Sequence, residues 1–161
     1  MSRRSRPILI AGIASLSALL LPAGREACAQ QLNLVNTRGI DFGRFVAGTG
    51  GTVVISAAGL RSRTGGVVLL NSPSAGQATF SVSKSSNGGS NKAVIISLPT
   101  NGSTRLTSGS NSMAVNSFVN STLGTVTTAG TLLSVGATLT VSASQPAGAY
   151  SGSFPLIVNF Q

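Results

Sequence analysis

Apolar and small polar residues alternate along most of this chain. TVVIS (52–56) and QATFSVS (77–83) show the pattern in short form. In LLSVGATLTVSAS (132–144) it places Leu133, Val135, Ala137, Leu139, Val141 and Ala143 on one face. The stretch GAYSGSFPLIVNFQ (148–161) repeats it with Tyr150, Gly152, Phe154, Leu156, Val158 and Phe160. A period of two is that of a strand with one face against a core. No segment of helix length carries the competing period of 3.6.

The remaining elements follow from the same reading. QLNLV (31–35) alternates, and GIDFGRFVAG (39–48) puts Ile40 and Phe42 on one face. GVVLLN (66–71) is a continuous apolar run, as expected of a strand buried on both faces. AVIISLP (93–99) and SMAVNSFV (112–119) are further strands, and SSNGGSN (85–91) is a loop. Pro99-Thr100-Asn101-Gly102 is turn chemistry, after which STRLT (103–107) is expected to pair back. SGSN (108–111) turns again, and Gly136 marks a bulge or bend in the long strand around it. Gln145-Pro146-Ala147-Gly148 predicts a turn joining 132–144 and the final stretch into a hairpin. About nine short strands with frequent turns point to an all-β Greek-key sandwich of about 8–9 strands, with a closed barrel as the alternative.

The first residues depart from this pattern. Arg3, Arg4 and Arg6 precede the apolar run 8–21, and Ala27-Cys28-Ala29 fits a small-x-small cleavage site. Residues 1–29 are expected to be a cleaved signal peptide and 30–161 a single domain. Acylation of Cys28 would call for a Leu-like residue where Arg25 stands, so a lipoprotein reading is not adopted. Ser2-Arg3-Arg4 lacks the apolar residues that twin-arginine export uses next, so general secretion is the expected route. The destination is then the periplasm, cell surface or extracellular space, with no transmembrane segment left after cleavage. Cys28 leaves with the signal, so the mature chain must close an apolar core without a disulfide. At this length roughly two-thirds of the unfolded surface can be buried, which suffices.

Composition removes most chemistry. The sequence has no His, one Cys and two acids, with a formal net charge of +9. In 30–161 Asp41 is the one acid, against Arg38, Arg44, Arg61, Arg63, Lys84, Lys92 and Arg105. A Ser-His-Asp triad, a paired-carboxylate hydrolase and a zinc site all lack their residues. A calcium site would have a single carboxylate. Lys84 or Lys92 with a neighbouring Ser is the remaining nucleophile–base pair, and both lysines read as solvated loop residues instead. The Thr-Gly-Gly runs at 49–51 and 64–66 and Asn-Gly-Gly-Ser-Asn at 87–91 lack the ending and the following helix of a phosphate loop. They read as turn glycines. No enzyme, cofactor or metal is expected. Scattered basic residues with few aromatics do not make a nucleic-acid surface. Arg61 and Arg63 share one face of an extended segment and are candidates for weak contact with an anionic ligand such as an acidic glycan, against a plain solvated loop. Asp41 is read as a local ion pair or turn-capping group at the bend between the first two strands.

GIDFGRFVAGTGGTVVIS, RTGGVVLL, QATFSVS and TLLSVGATLTVSASQPAGAYSGSFPLIVNFQ together resemble the bacterial domain-of-unknown-function family 4402, over nearly all of 31–161. That family is similar in turn to chaperone–usher pilus subunits and spore-coat-type secreted domains. The resemblance implies an immunoglobulin-like sandwich lacking its last strand. It further implies assembly by β-strand edge pairing with a periplasmic chaperone and with like subunits. Phe154, Leu156, Val158 and Phe160 would then form the strand beside the open groove, and Gln161 would present the anchored carboxylate. Pro155 removes one ladder donor from that strand. It is expected to turn the missing donor away from 132–144, toward an absent or irregular neighbour. The first functional expectation is an exported structural or adhesive subunit. The second is a self-contained secreted module whose loops contact a surface glycan or envelope component.

Overall fold

A computed structural model describes residues 31–85, 92–121 and 123–161. The expected signal peptide and most of the 85–91 loop lie outside the described residues. The described residues contain no helix, and their antiparallel sheets curl into a half-barrel, an all-β fold of sandwich or barrel type. There are twelve strands among them, three of which have only two residues each.

The large sheet is built around β11 (Thr131–Val141). One edge of β11 carries two strands in succession. Thr131–Val135 pair with β6 (Ala78–Lys84), and Ala137–Val141 pair with β3 (Gly51–Ile55). The other edge carries β9 (Asn111–Asn120), which pairs with β8 (Thr104–Ser108). β1 (Leu32–Arg38) extends the sheet beyond β6, and β4 (Arg61–Gly65) extends it beyond β3. The changeover between β6 and β3 falls at Gly136. A Cβ there would lie 2.3 Å from the Ile55 carbonyl oxygen and 2.7 Å from the Ala57 nitrogen. The ladder to β9 shifts register between Gly136 and Thr138, so the expected bulge is present.

The inward face of β11 joins two apolar clusters. Leu133 and Val135 meet Ala78, Phe80, Val82 and Val126. Ala137, Leu139 and Val141 meet Phe42, Val53, Ile55, Val67, Met113 and Val115. The first of these clusters is covered by a second sheet, β10 (Thr125–Val126), β7 (Lys92–Ser97) and β12 (Ile157–Phe160) in spatial order β10-β7-β12. The other is covered by a ribbon of β2 (Phe45–Val46) and β5 (Val68–Leu69).

Several expectations change. The final stretch is not a hairpin arm of 132–144, because both edges of β11 are already filled. Instead β12 pairs with β7, from Ile157 opposite Ser97 to Phe160 opposite Val94. STRLT does not pair back on β7. The turn before it exists, with Ser103 N–H donating to the Thr100 carbonyl at 3.3 Å, but β8 pairs forward with β9. The reason is local. Asn101 Oδ1 accepts from Ser117 N–H, and Gly102 N–H donates to Asn116 Oδ1, so the turn is tied to β9. GVVLLN is not buried on both faces: Val67 is, but Val68 is 51% exposed on the outside of the ribbon. Lys84 is not a loop lysine either. It closes β6 on the inward side of Ala78, Phe80 and Val82, and is 8% exposed.

The two Thr-Gly-Gly runs are structural, and the run at 87–91 lies outside the described residues. Gly66 N–H donates to the Gly50 carbonyl at 2.7 Å, joining Thr-Gly-Gly 49–51 to Thr-Gly-Gly 64–66. A Cβ on Gly51, at φ 148°, would lie 2.1 Å from the Thr64 carbonyl oxygen. The two backbones meet where a side chain has no room.

Candidate strand-edge site

The residues singled out near the end of the chain gather over one cluster. Phe154, Leu156 and Val158 are half-buried against the Phe80–Leu133 cluster. Phe154 stands edge-on to Phe80, with ring centroids 6.2 Å apart, and tilts against Phe118 at 5.0 Å. Phe160 is half-buried at the end of β12, and Gln161, exposed, donates its N–H to the Ala93 carbonyl at 3.1 Å. The alternation therefore marks the inward face correctly, although only 157–160 is laddered. Upstream, Ser151 makes a single bridge to Thr107, with hydrogen bonds of 2.8 and 3.0 Å. Pro155 lies between that bridge and β12, in an irregular stretch where no ladder bond is lost.

Among the described residues, β12 has β7 on one edge and no strand paired on the other. It lies next to β1, the outermost strand of the large sheet, and no ladder of described residues joins the two. Ser85 N–H donates to the Gln31 carbonyl at 2.9 Å, which sets the parity of β1. Residues 31, 33 and 35 spend their main-chain groups on β6, so those of Leu32, Leu34 and Asn36 turn to the seam. β1 is seven residues long and has no charge before Arg38. The composition of 31–35 was readable, but alternation shows which face is buried and not which edge is left unpaired.

The edge at β4 is blocked. Arg61 and Arg63 lie on β4 opposite Ile55 and Val53, so they start from the inward side of an edge strand, a placement that discourages pairing. The segment read as a loop is this strand. Arg61 reaches across to the ribbon, where Nη1 donates to the Leu70 carbonyl at 2.9 Å and Nη2 to the Arg44 carbonyl at 2.7 Å. Those carbonyls flank β2 and β5, at the end where the Leu70 N–H bonds to the Arg44 carbonyl. Burial pushes the Arg61 pKa below its usual value, and the nearby Asp41 carboxylate partly offsets that. Arg63 is exposed and donates to the Gly65 carbonyl at 3.1 Å. Asp41 caps the bend as expected, with Oδ1 accepting from Gly43 N–H at 2.7 Å and its main chain bridging to Gly76. Gly43 takes φ 69° there.

The match to known families covers the whole of this arrangement. The family model described as Domain of unknown function (DUF4402) matches residues 32–160, from the first residue of β1 to the last of β12. The chain belongs to the DUF4402 family. Nothing among curated proteins and nothing among solved structures matches. In this DUF4402 chain the Ile-Asp-Phe-Gly motif is the capped bend under the ribbon, and the Tyr-Ser-Gly-Ser-Phe ending is the strap that leads from the Thr107 bridge into β12.

Proposed function

We propose that this DUF4402 chain is an exported, non-enzymatic structural or adhesive surface protein, a pilin-like subunit that assembles by strand-edge pairing at the seam between β1 and β12. The observation that carries this reading is the pair of unladdered edges lying side by side at that seam. Edges of this kind are templates for another chain, and natural proteins block them with charge, proline or cover. Here β4 bears two arginines and β8 is bridged by Ser151, while the seam edge of β1 is uncharged up to Arg38. An added strand would gain main-chain hydrogen bonds from Leu32, Leu34 and Asn36, and would lay alternate side chains over Leu156 and Val158. A periplasmic chaperone or a like subunit is the partner this implies.

Size-exclusion with light scattering on the purified protein, across a concentration series, tests the reading. Multimer ladders, or stability that depends on an added chaperone, support it. A cooperative monomer at every concentration sinks it and favours the self-contained glycan-binding module. Asn36→Pro sharpens the test, since it removes a seam-facing N–H while leaving the bonds of 31, 33 and 35 to β6. Multimers should be lost in this variant with the unfolding midpoint little changed.

A further inference from the structure

The cover over the large sheet is incomplete. A cleft of about 1130 Å³ opens between the Gly39–Ala47 and Leu70–Ser74 segments on one side and the Gln145–Phe154 strap on the other. Its apolar surface is that of the half-buried Ile40, Phe45, Leu106, Tyr150 and Phe154, which lie over the closed core. Ligand sites of about 300–1,000 Å³ are ordinarily of this kind, apolar with a few placed polar groups.

The polar groups at the mouth are unequal. Arg38 and Arg61 lie outside the lining: Arg38 donates to the Ser74 carbonyl, and Arg61 spends two donors on the ribbon. Asp41 does line the cleft, with its carboxylate turned to Gly43 N–H and close to Arg61. Tyr150 and Gln145 satisfy each other at 2.9 Å, and the Tyr150 hydroxyl donates to the Pro146 carbonyl. Arg44 differs from these. It is exposed, it lines the cleft, and its guanidinium bonds to no described residue. The chain offers it little anionic company, since Asp41 is the one acid among the described residues. An apolar trough with an unspent guanidinium at its rim calls for a ligand with an apolar body and an acidic end.

We infer that the cleft binds a single acyl chain bearing an acidic head group, with the chain lying over Phe45, Leu106 and Tyr150 and the head on Arg44. The cleft meets the strand-edge site at Asn36 and Phe154, but it is read by probe binding at Arg44 and not by multimer formation, so each reading can fail without the other.

The test uses the purified protein and dansyl-undecanoic acid as a fluorescent probe. One saturable site is expected, from which palmitate displaces the probe. Hexadecanol, with the same chain and no charge, should compete about tenfold less well, because a charge-assisted hydrogen bond is lost. Arg44→Gln should bring palmitate down to the level of hexadecanol and leave hexadecanol unchanged. Arg44 is exposed, so this variant should keep the wild-type unfolding midpoint. Leu106→Trp should fill the floor and block the probe. The inference is overturned by the absence of saturable binding, by palmitate and hexadecanol competing equally in the wild type, or by an Arg44→Gln variant that keeps the preference for palmitate. It is also overturned if an uncharged alternating apolar peptide displaces the probe better than palmitate does.

Discussion

Thr104 stands on the inward side of β8, 4% exposed, with its hydroxyl buried and unpartnered. An unmade buried hydrogen bond costs about 1–3 kcal/mol, whereas an apolar group of the same shape costs little. Thr104→Val is therefore expected to stabilise the fold by about 1 kcal/mol. Urea unfolding should show a higher midpoint with an unchanged slope. Arg61 also has a buried unpartnered atom, Nε, but its Nη groups are used. Its two donors tie the sheet edge to the ribbon, and Arg61→Ala should cost about 1–2 kcal/mol. Arg61→Lys should rescue little of that in the same assay, because an ammonium cannot reproduce the fork that spans two carbonyls.

Among the elements, β11 organises the rest through Gly136. A Cβ at that position meets main-chain atoms of Ile55, Ser56 and Ala57, which cannot move aside as a flexible side chain can. Gly136→Ala should cost roughly 3 kcal/mol, seen as a lower thermal midpoint. This position was legible in the sequence, as a glycine inside an otherwise regular strand. So was the buried face of β11, since Leu133 to Val141 alternate and all are buried. The capped bend at Asp41 and the paired Thr-Gly-Gly turns were legible for the same reason: their chemistry is local. Pairing was not local. The alternation at 154–160 states which side chains face inward, but β11 had no edge left for them, and nothing in 145–148 records that β7 was the free neighbour. Arg61-Ser62-Arg63-Thr64-Gly65 hid as a strand because its neighbour β3 supplies the apolar residues and it supplies the charge. Lys84 hid because parity placed a long cation on the inward face next to a loop-like stretch. At the candidate site, the inward residues could be read, while the seam edge of β1 depends on the whole sheet order.

For the whole molecule, the seam and the charge balance pull on different properties. The chain is strongly basic, yet the seam edge of β1 carries no charge before Arg38. Assembly through that edge should therefore depend on main-chain pairing and apolar contact. Sedimentation at about 0.01 M and about 0.15 M salt, where screening differs severalfold, should give multimer fractions that do not fall as salt rises. Multimers that dissociate as salt increases would point to charge contacts elsewhere on the surface. The pairing of β12 with β7 has a consequence in time as well. Three β-strands of the large sheet, β8, β9 and β11, lie in sequence between these two partners, and such a non-local ladder is slow to form. Until it does, Val94, Ile96 and Leu98 have no Leu156 and Val158 to meet, and the cluster beneath them stays open to water. A chain emerging from its N-terminal side thus passes through a period in which most strands exist and the second cluster is uncovered. The arrival of residues 157–160 sets when that period ends.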